Sequence, residues 1–205
     1  MNNINKKYKL NQRWEIYSKN IRTDRADKII NYAEQYLEPI LLSFPELKEK
    51  IFLLLRKHGW FAKYKPVMQI VIREEALKLS YWRIRSTTAH ELLHLVQYIN
   101  GIGIEENTNN LQLERQATFL TFSRGFSYDY IKSFPSECNK KTCDHKFKYA
   151  YFCCDKIFKE CCKRYTENEM QVLSDKLTEL SSSYSIYDNP DYNKIIYDCC
   201  IKEIT

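Results

Sequence analysis

The chain has 205 residues, 44% of them hydrophobic and 28% charged, which suits one globular domain or a domain with a small appendage and excludes a chain too polar to bury a core. No stretch approaches the ~18 uninterrupted apolar residues of a membrane helix, and Met1-Asn-Asn-Ile-Asn-Lys-Lys-Tyr8 lacks the apolar run of a signal peptide; a soluble protein with no membrane span is expected, cytoplasmic by default, while the eight cysteines leave its compartment open. The formal charge of +6 comes from Lys and Arg scattered among almost as many acids, whereas a nucleic-acid binder concentrates its basic residues, so no nucleic-acid partner is expected.

Two amphipathic helices are predicted first. In Thr23 to Leu37, Ala26, Ile29, Ile30, Ala33 and Leu37 recur at helical spacing, and Pro39 follows the end. From Pro45 to His58, Ser43 offers a cap, Leu47, Ile51, Leu54 and Leu55 share a face, and Gly59 closes the helix. Val67-Met-Gln-Ile-Val-Ile72 is short, β-branched and introduced by Pro66, and reads as a strand. It needs partners, for which Trp60 to Lys63 and Tyr81 to Ile84 are the candidates.

A long helix is predicted from Ser86 to Asn100, with Leu92, Leu95, Val96 and Ile99 towards the core and Gly101 ending it. Gly103 and a polar stretch lead to a further helix, Asn110 to Arg124, with Leu113, Ala117 and Leu120 at core spacing and a stop near Gly125. All eight cysteines lie beyond Pro135, in a Lys- and Tyr-rich segment read as a helical extension with one loop, Ser181 to Pro190. The expectation is an α+β fold, mostly helical with a small sheet, divided into residues 1–135 and a Cys-rich helical extension 136–205.

Chemistry concentrates in Thr88-Ala-His90-Glu91-Leu-Leu-His94, an H-E-x-x-H sequence on a helix. Imidazoles four residues apart are about one turn apart and face the same way, so both can reach one Zn²⁺ at ~2.0–2.1 Å. Glu91, rotated by about 100° from His90, stands beside such a metal, where it can act as a general base. A half-buried, hydrogen-bonded histidine is the ordinary reading of a lone His on a helix; two of only four histidines falling in this pattern favour a metal. The third ligand comes from Glu114 on the next helix, giving H-E-x-x-H-x₁₉-E and a His₂Glu site. Glu105 and Glu106 are alternatives on a loop, which presents a ligand less rigidly.

From Val67 to about Thr121, little more than a quarter of the chain, these motifs resemble the gluzincin metallopeptidases, the thermolysin-like class, and in compactness the minigluzincins. The resemblance implies a zincin-like active-site helix and a zinc-dependent peptidase. Peptide or protein would be its substrate, added as a strand along Val67 to Ile72. It also implies a residue supporting the first histidine one turn after the glutamate, where this chain has Thr118 preceded by Ala117, and an oxyanion donor for which Tyr128, Tyr130 and Arg124 are candidates. Alternatives are an antirepressor-type regulatory metalloprotease and a non-catalytic zinc-stabilised interaction module; Glu91 speaks against the latter, because a structural site needs no base. In the extension, the cysteines read first as disulfides joining Cys153, Cys154, Cys161 and Cys162 to Cys199, Cys200 and the Cys138/Cys143 loop. Buried thiols come second, and a further zinc site of Cys138, Cys143, His145 and Cys153 or Cys154 third. A latency segment that covers the cleft is a further expectation for this extension.

Overall fold

Apolar runs bounded by turn residues govern the first half of the chain, and where both neighbours of such a run are strands it joins them as a third. The computed structural model describes residues 6–9, 14–18, 33–48, 51–56, 61–63, 68–73, 78–103, 110–133, 166–192 and 194–196, and most of these are helical. They belong to two compact units, residues 1–99 and 100–205.

In the first unit, strands β1 (Lys6–Lys9), β2 (Trp14–Ser18), β3 (Ile51–Arg56), β4 (Phe61–Lys63) and β5 (Gln69–Arg73) pair in the order β1-β2-β3-β5-β4. The β2–β3 and β3–β5 pairs are parallel, whereas β1–β2 and β4–β5 are antiparallel. The helix predicted over 45–58 is therefore overturned: Phe44 to Leu47 form turns, and Ile51 starts a strand bonded on both sides. A continuous apolar run such as Ile51-Phe-Leu-Leu-Leu55 satisfies helical and extended periods alike, and the parallel neighbours decide between them. Lys63 and its neighbours pair with β5, whereas Tyr81 to Ile84, the other candidate partner, is helical. Because β5 has strands on both sides, the free edge expected there lies instead at β4.

Residues 23–32 of the first predicted helix fall outside the described residues. The remainder runs on past Leu37: a wide, π-type turn over Ala33–Leu37 leads directly into α1 (Glu38–Leu41). Pro39 lies in the first turn of α1, where its missing N–H breaks no helical bond, so the proline restarts the helix instead of stopping it.

The helix α2 (Tyr81–Ile99) packs against the π-type turn, α1 and β4. Ser80 Oγ accepts from the Arg83 N–H at its start, and Tyr81 packs at a 56° tilt against Tyr36 with centroids 5.7 Å apart. From Thr88 to Gln97 every residue but His94 is buried, which makes α2 the central helix of this unit. Ile99, expected in the core, is exposed where the helix ends, and Gly101 follows at φ 77°, a left-handed conformation suited to glycine.

In the second unit, α3 (Asn110–Thr121) continues into a kinked turn, Phe122–Phe126, and then α4 (Ser127–Ser133). Gly125, at φ 86° and ψ 20°, bends the path without ending it, which corrects the predicted stop. Helix α5 (Glu167–Ser182) opens with a full capping box between Thr166 and Glu169 and packs on the kinked turn and α4. Ser127 Oγ meets Ser174 Oγ at 2.6 Å and Thr178 Oγ1 at 2.7 Å between α4 and α5, and Phe119 sits among Phe122, Tyr184 and Tyr192. The eight cysteines, His145, Glu105 and Glu106 lie outside the described residues, and with them the expectations on disulfides, thiols and a second zinc. No helix among the described residues is long and apolar enough to cross a membrane.

Candidate metal centre

The H-E-x-x-H sequence lies in the middle of α2, so its side chains are set on a backbone held on several sides. Residues four apart on a helix lie one above the other. His90 and His94 accordingly turn their Nε2 atoms to each other at 3.0 Å, with their rings perpendicular and the centroids 4.6 Å apart. Two bonds of ~2.0–2.1 Å at a tetrahedral angle would set two ligand nitrogens about 3.3 Å apart. The observed separation is close to that, so the pair needs little movement to share one ion.

Glu114 comes from the first half of α3 and is half-buried. The ligand atoms of His90, His94 and Glu114 all lie within 4.8 Å of one another, the one group of this kind among the described residues. Two imidazoles and a carboxylate are suitable donors for a borderline divalent cation, and the group could hold a metal ion. Glu91, 4% exposed, follows His90 directly on α2.

Gln97 was not singled out by the sequence. It is 2% exposed, and its Oε1 lies 2.8 Å from His94 Nδ1. Its trace in the sequence is one polar residue three places after the second histidine, within the apolar stretch that follows it. Gln112 and Gln116 on α3 were missed as well. Gln116 Nε2 donates to the Ile186 and Asp188 carbonyls, both at 2.9 Å, and to Tyr192 Oη at 3.2 Å; Gln112 Nε2 donates to the Pro190 carbonyl at 3.0 Å. Their partners lie about seventy residues downstream in a turn, where no local pattern announces them. A cavity of about 310 Å³ opens beside this clasp, lined by Ile102, Leu113, Tyr187 and Asn189.

Thr118 and Ala117 are both buried on α3. Tyr128 donates to the Glu167 carboxylate, which also accepts from Lys132. The bond to Glu167 pushes the Tyr128 phenol above its ordinary range, and Lys132, ahead of Tyr128, holds Glu167 below the usual carboxylate range. Tyr128 is thus engaged in an exposed cluster with α5. Tyr130 is buried against Phe122, with centroids 5.2 Å apart. Arg124 lies in the kinked turn beside Gly125. Compared with protein-family models, with curated proteins and with solved structures, the chain matches none.

Proposed function

We propose that the chain is a zinc-dependent metallopeptidase of gluzincin type, with His90, His94 and Glu114 as metal ligands and Glu91 as general base. The observation that carries this reading is the meeting of the three ligand side chains with a buried carboxylate one residue after the first histidine. A site that only stabilised a fold would have no use for Glu91 there. Zinc held by these residues would supply Lewis acidity and activate water for attack. Glu91 takes the proton from the attacking water and passes it to the departing amine. His90, His94 and Glu114 hold and orient the ion, two of them on one rigid helix.

An extended peptide or protein segment is the substrate. Strand β4 presents the edge of the sheet and packs against α2, so backbone pairing there requires little of the substrate's sequence. The zincin-like arrangement of a small sheet with the motif helix belongs to the same proposal, as does the Cys-rich extension.

Elemental analysis of the purified protein, run beside casein cleavage, tests the reading. Wild type is expected to carry one zinc and to cleave; Glu114→Ala loses metal and activity, and Glu91→Gln keeps the metal while activity falls by at least about 10²-fold. Metal without cleavage in wild type would sink the peptidase assignment, and Glu91→Gln at wild-type rate would remove Glu91 from its role.

A further inference from the structure

Neutral imidazole carries one N–H, and an amide oxygen only accepts. The 2.8 Å contact between Gln97 Oε1 and His94 Nδ1 therefore places the proton on Nδ1 and leaves a lone pair on Nε2, the atom that faces His90. We propose that Gln97 is the positioning residue of the metal centre: it holds His94 in the tautomer and ring orientation that present Nε2 to the ion. The inference rests on the metal-binding half of the proposed function and is independent of peptide cleavage.

Three further observations carry it. A spacing of three residues turns Gln97 about 60° from His94 and moves it about 4.5 Å along the axis, within reach of the ring's far nitrogen. Gln97 is 2% exposed, and a buried amide costs free energy unless it is hydrogen-bonded, which the contact with His94 Nδ1 helps to offset. The acceptor is also neutral. A carboxylate in its place would push more electron density into the imidazole, so a glutamine sets a weaker donor and a more readily exchanged ion than a glutamate would.

Affinity for Co²⁺ and Zn²⁺, measured by competition against a chromophoric chelator on the full chain, tests the inference without any substrate. Gln97→Met keeps the volume and removes the acceptor; it is expected to weaken binding about 10- to 100-fold. Gln97→Glu keeps an acceptor and is expected to bind as tightly as wild type or more so. Melting of the metal-free proteins separates this from mere packing, because a packing role would follow stability and not acceptor chemistry. Should Gln97→Met not fold, Gln97→Asn, one methylene too short, is expected to show the same loss. Gln97→Met with wild-type affinity, or Gln97→Glu as weak as Gln97→Met, overturns the proposal. Wild type that binds no metal overturns the proposed function as well, so the two failures are told apart.

Discussion

Thr88 is fully buried two residues before the first histidine, and its hydroxyl has no hydrogen-bond partner among the described residues. An orphaned hydroxyl forfeits its bonds to water and receives nothing in return. Thr88→Val, which has nearly the same shape, is expected to raise stability by about 1 kcal/mol in urea denaturation. A loss of similar size would show that the hydroxyl is satisfied in solution. Residues of this kind are invisible to pattern reading, as is Gln97, because what matters is the atom that each side chain meets. The histidines and Glu91 are legible for the opposite reason: their relation is set by the pitch of one helix, and pitch is written in the spacing.

Helix α3 works on two faces. Gln112 and Gln116 are some 40° apart around it, while Glu114, between them in sequence, points about 160° to 200° away. One face thus carries the candidate ligand, and the opposite one grips the turn that follows α5. Gln116→Ala would take the amide donor from the Ile186 carbonyl and leave the Asp188 carbonyl to Tyr192 Oη, and is expected to cost about 1–2 kcal/mol, read by chemical denaturation. Gln116→Glu should do no better, since a carboxylate cannot donate to carbonyl oxygens. If both variants melt like wild type, the clasp contributes nothing. The elements themselves were unevenly legible. Gly101 marks the end of α2 as a left-handed glycine should, but Gly125 takes the same conformation inside a kink, and only the packing of α4 on α5 distinguishes the two cases. Strand β3 was hidden because an unbroken apolar run has no period, and its identity comes from β2 and β5, which lie far off in sequence.

Across the molecule, three described carboxylates near the C-terminal end titrate below their ordinary range. Glu167 is held down first by Lys132, Glu169 by the Thr166 backbone N–H and hydroxyl, and Asp188 by the Ser185 backbone N–H and hydroxyl. A folded-state pKa below the unfolded value, about 4, means that the stabilisation is complete above that value and is lost as pH falls through the lower, folded one. Stability is expected to be level down to about pH 5 and to decline below about pH 4, with Glu167→Gln and Asp188→Asn each making the decline shallower. Denaturation midpoints from pH 6 to pH 3 check this, and a decline already under way at pH 6 would contradict it. Each group is exposed, so the slope should be gentle. The outer strands of the sheet, β1 and β4, are four and three residues long and carry four lysines between them. Short, charged borders are poor templates for fibril growth, because a second copy finds few bonds and much repulsion there. The same short borders therefore also shield the chain from amyloid-like polymerisation.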